Sequence, residues 1–266
     1  KFEHNAANAP VALNGSLKIE ETRAVQGISA KLNTIAKIRG EYVVASKYDF
    51  WFLNADLSPK FHAAMDPWFS ANVLDLVGIT ALDKDAYVLM GSNKSLLRVR
   101  QNPEADDVQG WPNFTAGRSH IEAVGGLGRA RIDTERAKFS YIHSSATDGR
   151  YVFMATVPDN KNKKQFVISK ALMKDWMLSG EFVPTAEMLK KDRSLGELYV
   201  TGMVYEDGKL YAVSKNWNVL VVIDVAQEAV VEAWGLPEEL TDIRGLVKDG
   251  STFEVIDANR VVKLTM

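Results

Sequence analysis

The chain has 266 residues, of which 46% are hydrophobic and 25% charged, and its formal net charge is −2. This composition is typical of a folded domain and argues against a disordered chain, which combines low hydrophobicity with high net charge. The near-neutral charge provides no general attraction for nucleic acid, so no nucleic-acid partner is expected. The longest stretch without Asp, Glu, Lys or Arg, 4–17, is too polar and too short to span a bilayer, which takes about 20 apolar residues.

The sequence contains no cysteine. Disulfides, thiolate catalysis and zinc sites with cysteine ligands are therefore excluded. A chain without thiols suits an oxidising compartment, so we expect a periplasmic or extracytoplasmic location, with chance as the other explanation. The first residues, Lys1-Phe2-Glu3-His4, contain neither an initiator methionine nor a signal peptide. We therefore expect a trimmed mature form, or a domain excised from a membrane-anchored or secreted protein.

Five segments of the chain repeat one pattern, in which the second predicted strand begins with an aromatic residue. These aromatics are Tyr42, Tyr87, Tyr151, Tyr211 and Phe253. The runs that follow them are rich in apolar and β-branched residues, which is typical of β-strands. An Asp-Gly pair shortly before three of them favours a tight hairpin. The aromatics recur about every 40–65 residues, close to the roughly 40–50 residues of a four-stranded propeller blade.

Two intervals between the aromatics are longer than one blade, and we expect insertions there, at 101–136 and at 169–195. In the second interval, residues after Thr185 have helical spacing, and Thr185 is a suitable N-cap. Short helices are therefore predicted near 66–74, 171–178 and 185–193. The rest of the chain is predicted to be β-structure.

The last repeat has room for only three strands, whereas a blade needs four. Residues 16–25 alternate between apolar and polar and belong to no repeat, so we expect them to pair with 260–265. Such pairing removes sheet edges that would otherwise template aggregation. We predict one all-β domain over residues 1–266, a single closed five-bladed β-propeller whose N-terminal strand completes the last blade. Six blades, or a generic two-sheet β-protein, are the alternatives.

The common catalytic motifs are missing from the sequence. There is no Gly-x-Ser-x-Gly nucleophile elbow, no phosphate-binding loop and no complete dinucleotide fingerprint. The histidines are too widely spaced to form a local metal-binding pair. Any site must therefore be assembled by the fold.

The starts of the five first strands are the strongest candidates for such a site. In a propeller the innermost strands line a central channel, and their starts share one rim. The polar residues expected at this mouth are Asn33, Asp75, Tyr199 and Asp242, with Thr201, Arg244 and His143 nearby. They would bind a polar ligand or a cation, or else only cap strands and bind channel water.

Arg244 is the expected partner of Asp242, because a residue two positions further along a strand points to the same side. This pairing would balance the charge and favour an anionic or polar ligand over a metal.

The small residues Ala36, Gly78, Gly202 and Gly245 suit the crowded axis, where backbones approach closely. Ser-Lys pairs also occupy corresponding positions in two repeats, at 46–47 and 214–215.

The 101–136 interval is a candidate partner-binding surface. It contains Arg118, Arg129, Arg131 and Trp111, a mixture of arginine and aromatic residues that suits a protein or an anionic ligand. Long loops in compact domains are often functional. A solvated loop without a partner is the alternative.

Residues 75–80 and 242–247, Asp-Leu-Val-Gly-Ile-Thr and Asp-Ile-Arg-Gly-Leu-Val, resemble the blade starts of SdiA-regulated-type bacterial propellers. The resemblance implies an envelope-associated propeller with a calcium-assisted activity. The acidic residue that precedes the glycine in that family is replaced here by Val77 and Arg244. Only Asp75 and Asp242 are therefore carried over from it.

These observations lead to two main hypotheses about function. The first is a non-catalytic binding module of the bacterial cell envelope, which holds a protein partner or a small polar or anionic ligand on one propeller face and needs no cofactor. The alternative is a hydrolase or lactonase-like enzyme that uses a divalent cation, with calcium as the candidate ion, at Asp75, Asp242, Asn33 and His143. A scaffold without a ligand of its own is the third.

Overall fold

The computed structural model describes residues 5–38, 40–64, 75–81, 86–93, 95–101, 119–126, 141–157, 165–174 and 177–266. Within these ranges the chain forms 22 strands in five sheets and two short 3-10 turns. The architecture is therefore all-β, as the sequence predicted. No helix in the described part of the chain has the length and apolar character that a membrane span requires.

Three sheets are four-stranded antiparallel meanders, since strands consecutive in the chain are neighbours in the sheet. Sheet 1 contains β3 (Thr34–Ile38), β4 (Glu41–Ala45), β5 (Asp49–Leu53) and β6 (Pro59–Ala64). Sheet 2 contains β7 (Leu76–Ala81), β8 (Ala86–Gly91), β9 (Ser95–Gln101) and β10 (Ser119–Gly126). Sheet 3 contains β11 (Ile142–Thr147), β12 (Tyr151–Thr156), β13 (Ile168–Leu172) and β14 (Met177–Phe182).

Sheets 4 and 5 each include a strand from the N-terminal part of the chain. Sheet 4 contains β16 (Val200–Glu206), β17 (Lys209–Ser214), β18 (Val219–Asp224) and β19 (Ala229–Gly235). Two short strands pair with β19 in parallel, β1 (Gly15–Ser16) and β15 (Thr185–Ala186). Sheet 5 contains β20 (Arg244–Asp249), β21 (Thr252–Asp257), β22 (Arg260–Thr265) and β2 (Lys18–Ala24).

The first strands of the five sheets contact one another in cyclic order. The contacting pairs are β3 with β7, β7 with β11, β11 with β16, β16 with β20, and β20 with β3. Among the strands that the structure describes, each of these first strands has a partner on one side only. The sheets are thus arranged as in a propeller, with first strands inside and fourth strands outside.

The hydrophobic core lies between neighbouring sheets, so that a sheet is covered on both faces. Strand β18 shows this best, because all its residues except Asp224 are buried. Val221 packs in a cluster with residues of sheet 3, such as Phe153. The adjacent Leu220 and Val222 pack in another cluster with Phe253 of sheet 5. Burial on both faces explains why the sequence of β18 is continuously apolar rather than alternating.

The predicted second strands are confirmed, because β4, β8, β12, β17 and β21 contain the five repeated aromatics. The turn between β16 and β17 has the expected geometry, with φ of 49° at Asp207 and 80° at Gly208. Positive φ at both central positions is what an Asp-Gly hairpin turn requires.

The N-terminal strand β2 pairs antiparallel with β22, as the alternating pattern of 16–25 predicted, with Arg23 opposite Val261. Its Arg23 side chain reaches sheet 1, where its guanidinium donates to the Tyr42 hydroxyl at 3.1 Å. That hydroxyl donates to the buried carboxylate of Glu254 at 2.5 Å. Burial, followed by the negative Glu254, raises the pKa of Tyr42 to about 12. This cluster fastens β2 and sheet 5 to sheet 1.

The predicted helices are wrong wherever the structure describes them. Residues 171–178 include the end of β13 and the start of β14, and 185–193 form β15 and turns. The Thr185 amide donates to the Glu228 carbonyl at 3.0 Å, so sheet pairing prevails over the local helical spacing. The predicted helix at 66–74 lies outside the described residues.

The two expected insertions also contain outer strands. Strand β10 falls within 101–136, and β14 and most of β13 fall within 169–195. These strands complete sheets 2 and 3. Their patterns were not recognised because outer strands lack the repeated aromatic.

Candidate functional site

The starts of the first strands lie at one end of the arrangement. Asn33 precedes β3, Asp75 precedes β7, and Tyr199 precedes β16 by one residue each, and Asp242 precedes β20 by two. His143 is the second residue of β11. We call these residues, together with Arg244, Lys215 and Lys31, the axial site.

Asp242 lies at the centre of an ion-pair cluster. Its carboxylate oxygens are 2.8 Å from Lys31 Nζ, 3.2 Å from Arg244 Nε and 3.7 Å from Lys215 Nζ. The ion pair between Asp242 and Arg244 is the one that their spacing predicted. Arg244 also donates to Asn33 Oδ1 at 3.0 Å, which joins sheet 5 to sheet 1. Burial acts to raise the pKa of Asp242, but the three cations hold it below its usual value.

His143 and Tyr199 form the second part of the axial site. The Tyr199 hydroxyl is 3.1 Å from Nε2 and 3.3 Å from Nδ1 of His143, and the two rings meet edge to face. Burial, then the positive charges of Arg244 and Lys215, lower the pKa of His143 to about 4, whereas Asp75 acts to raise it. The imidazole is therefore neutral at pH 7 and retains a basic nitrogen.

Lys215 connects the two parts. Its Nζ lies 5.8 Å from the centre of the Tyr199 ring, and its amide donates to the Tyr199 carbonyl at 2.6 Å. Burial, followed by the charge of Arg244, lowers the pKa of Lys215, and Asp242 opposes this shift. Asn216 holds the backbone beneath, because its Oδ1 accepts from the Tyr199 amide at 3.0 Å.

The charges of the axial site favour an anion. Lys31, Lys215 and Arg244 are positive, Asp75 and Asp242 are negative, and His143 is neutral. Among the described residues, no group of three or more His, Asp or Glu side chains could hold a metal ion. Within the described ranges, Asp75 and Asp242, the two aspartates carried over from the resemblance, are therefore not part of a three-ligand group.

Thr201 occupies a different position from the one expected. Its side chain is buried, and its hydroxyl donates to the carbonyl of Ile243 at 2.5 Å. It therefore joins two neighbouring inner strands at the base of the axial site. Arg118, Arg129, Arg131 and Trp111, predicted as a partner surface, lie outside the described residues.

Lys31 and Lys215 were not among the residues expected at this site. The Ser-Lys pair at 214–215, repeated at 46–47, is the signal that would have pointed to Lys215. Lys31 lies in the connection before β3, and no local pattern distinguishes it from other surface lysines. Its role follows only from its contact with Asp242.

The pKa of His143 predicts a pH-dependent stability. An unfolded histidine takes up a proton near pH 6.5, whereas the folded His143 does so only near pH 4. Its contribution is therefore fully present above pH 6.5 and is lost as the pH falls towards 4. The difference corresponds to about 3 kcal/mol.

We expect urea unfolding at pH 7.5 and 4.5 to show a smaller pH-induced loss of stability for His143→Gln than for the parent chain. Tyr199→Phe is the matched control. It keeps the burial that dominates the shift, so its loss should match that of the parent. An unchanged pH dependence in His143→Gln would contradict the lowered pKa.

No protein-family model matches the chain, and no curated protein matches it. Among solved structures, the chain is similar to the glutaminyl cyclase of Myxococcus xanthus, with a TM-score of 0.62 and 11% identity over 96% of this chain and 97% of that one. It is also similar to the PQQ-bound aldose sugar dehydrogenase of Streptomyces coelicolor, with a TM-score of 0.53 and 12% identity over 96% and 99% of the two chains.

At these identities the similarity shows a shared fold, which supports the propeller-like arrangement. Both of these structures are enzymes by description. Neither bears on the resemblance of residues 75–80 and 242–247 to SdiA-regulated-type propellers, which stays a prediction.

Proposed function

We propose that the chain is a single closed five-bladed propeller that acts as an enzyme on a small anionic molecule bound at the axial site. The cyclic contacts of the first strands and the pairing of β2 with β22 support the closed ring. A periplasmic or extracytoplasmic location remains part of the proposal, supported by the lack of cysteine.

The observation that carries the proposal is the meeting of the His143–Tyr199 pair with the Lys215–Asp242–Arg244 cluster. These residues come from sheets 3, 4 and 5 and their connections. A neutral imidazole keeps one unprotonated nitrogen, and the adjacent cations, although they weaken it as a base, stabilise the negative charge that develops on a bound substrate. A structural ion-pair cluster alone would not require a buried neutral histidine beside it.

The chemistry that this arrangement supports is base-assisted addition to a carbonyl group. The cations would bind a carboxylate of the substrate and stabilise the oxyanion that forms on the attacked carbonyl. His143 would take the proton of the attacking water or amine and return it to the leaving alcohol or amine as the carbonyl C–O or C–N bond breaks. The Tyr199 hydroxyl would orient the imidazole. The excess of positive charge supports a reaction without calcium, in place of the cation-dependent hydrolase.

The test is turnover and binding of carboxylate-bearing esters and amides. The panel includes N-acyl amino acids, and glutaminyl peptides because a glutaminyl cyclase shares the fold. His143→Gln should lower kcat about 100-fold or more with a smaller effect on KM. Arg244→Gln should raise KM about tenfold or more, because hydrogen bonds to charged groups contribute about 1.5–3 kcal/mol.

Lys60→Gln is the matched control. It removes one positive charge from an exposed pair with Glu41, far from the axial site. We expect its kinetics to equal those of the parent chain. Calcium is a further probe, and dependence of turnover on it would contradict the metal-free reaction.

The second candidate is the non-catalytic binding module, which the same cluster of cations favours. Binding of a probe that Arg244→Gln weakens, without turnover of any member of the panel, would support this candidate. The absence of both binding and turnover would contradict both candidate functions.

A further inference from the structure

A cavity of ≈ 620 Å³ runs along the five first strands. The close contact between Gly202 and Gly245 separates it from the axial site. Its lining extends from residues next to the strand starts, such as Thr34 and Ser144, to the hairpin turns at the far end, such as Gly40 and Asp249. Ligand pockets in proteins are commonly about 300–1,000 Å³. The cavity therefore has the size of a small-molecule site.

Two buried hydroxyl groups in its lining lack a partner. Ser144 and Ser145 line the cavity and are 1% and 9% exposed. Neither Oγ atom has a hydrogen-bond partner among the described residues. Because successive residues point to opposite sides of a strand, one faces the contact of β11 with β7 and the other that of β11 with β16, so both hydroxyls are packed between strands and are not exposed to the cavity. Ser145 is the one beside Gly78 of β7.

The backbone adds further polar groups. Within the described part of the chain, each first strand has a strand partner on one edge only, so its other edge carries N–H and C=O groups without a ladder partner. Buried backbone groups are almost always paired, with protein, water or a ligand. The cavity thus offers donors and acceptors close together, with the buried hydroxyl-bearing residues Thr34 and Thr80 also in its lining.

The charged residues of the lining are confined to the far mouth and are paired with one another. Lys37 Nζ is 3.3 Å from Asp249 Oδ2, and Lys248 Nζ is 2.5 Å from Glu206 Oε1. No unpaired charge remains in the described lining to neutralise a charged ligand. An ionised group placed beside buried hydroxyls alone would lose its hydration without compensation.

We propose that this channel cavity is a second binding site, for a neutral polyhydroxylated molecule such as a sugar or a cyclic polyol. Each hydroxyl of such a molecule both donates and accepts, which matches the N–H and C=O groups on the free edges of the first strands. The site opens at the face opposite to the axial site and does not rest on the proposed enzymatic function.

The test is isothermal titration with glucose, trehalose and myo-inositol, and with the charged relatives gluconate and glucosamine. Millimolar concentrations avoid the general stabilisation that sugars cause at much higher concentration. We expect saturable binding of at least one neutral probe with a Kd of about 1 mM or lower. Its charged relatives should bind at least about tenfold more weakly.

Two substitutions place the bound probe in the channel. Ala36→Leu fills part of the cavity and should weaken binding about tenfold or more, whereas Ala24→Leu on the exposed strand β2 should leave it unchanged.

Absence of saturable binding would mean that the channel holds only water and would overturn the proposal. Equal binding of the charged relatives would overturn the neutral class, and binding unaffected by Ala36→Leu would overturn the location. Arg244→Gln and His143→Gln should leave polyol binding unchanged. This separates failure of this site from failure of the axial site.

Discussion

Removal of residues 1–26 is expected to destabilise the whole domain, to the point that the truncated chain is largely unfolded at 37 °C. The segment contributes the buried side chains of Val11, Leu17 and Val25, which are at most 8% exposed. Burying an aliphatic side chain of this size contributes about 1.5–3 kcal/mol. Together these losses are comparable to the 5–15 kcal/mol that typically stabilises a whole domain.

The deletion also opens two sheet edges. Strand β22 loses its partner β2, and β19 loses the parallel pairing with β1. The Asn14 carboxamide, which accepts from the Ala233 amide at 2.9 Å, is lost from the edge of sheet 4. Open edges of this kind template aggregation, so the truncated chain should also aggregate on heating.

Thermal unfolding followed by circular dichroism measures this effect. Glu20→Gln in the full chain is the control, because Glu20 is exposed on β2 and its substitution should change stability by less than about 0.5 kcal/mol. Addition of a synthetic peptide of residues 5–26 should raise the melting temperature of the truncated chain. An unchanged melting temperature after deletion would show that β2 does not hold the ring together.

Gly202→Ala and Gly245→Ala are expected to destabilise the protein by more than about 3 kcal/mol each, since overpacking against backbone is hard to relieve. A Cβ atom on Gly202 would lie 2.6 Å from the carbonyl oxygen of Gly245. A Cβ atom on Gly245 would lie 2.6 Å from the Ile35 amide nitrogen. Gly245 also has a φ of 69°, which other residues adopt only with strain.

The matched controls are Gly208→Ala and Gly250→Ala. Both glycines have positive φ, at 80° and 60°, but a Cβ atom on either would meet nothing within 4 Å. Their substitution should therefore cost only the backbone strain, about 1–2 kcal/mol. Urea midpoints compare the four variants directly. If Gly202→Ala costs no more than Gly208→Ala, β16 and β20 do not approach as closely as the structure shows.

The closeness of the inner strands also explains where the axial site lies. Gly202 and Gly245 are next to Thr201 and Arg244 in sequence, so the tight contact between β16 and β20 fixes the distance between the parts of the chain that carry Tyr199 and Asp242. We therefore expect both alanine variants to impair the axial site even in molecules that remain folded.

The repeated strands could be predicted because their signal is local. An aromatic residue, a β-branched run and an Asp-Gly turn occur together within about ten residues, and β12, β17 and β21 contain this combination. A blade needs four strands and the last repeat has room for only three, so a strand from elsewhere in the chain could be predicted, and β2 provides it. Glycines at the inner strands pointed to close backbone contacts, and Gly202 and Gly245 make them, whereas Gly78 packs against the side chain of Ser145.

The outer strands could not be predicted in the same way. Residues 185–191 have helical spacing, and nothing local shows that β15 will pair with β19, more than forty residues later. Pairing of an outer strand depends on which partner edge is available, so its own sequence carries a weak pattern. Local propensity is then overridden by tertiary contact.

The sequence by itself determined the all-β class, the repeating unit and the set of polar residues at the strand starts, because each depends on short-range patterns of side-chain chemistry. Only the tertiary structure decided how those residues are paired. Arg244 binds Asn33, which is 211 residues away, and Lys31 joins Asp242 without any local signal. The burial and nearby cations that keep His143 neutral also exist only once the sheets have come together. Charge and burial in this site are properties of the ring and not of any one segment of the chain.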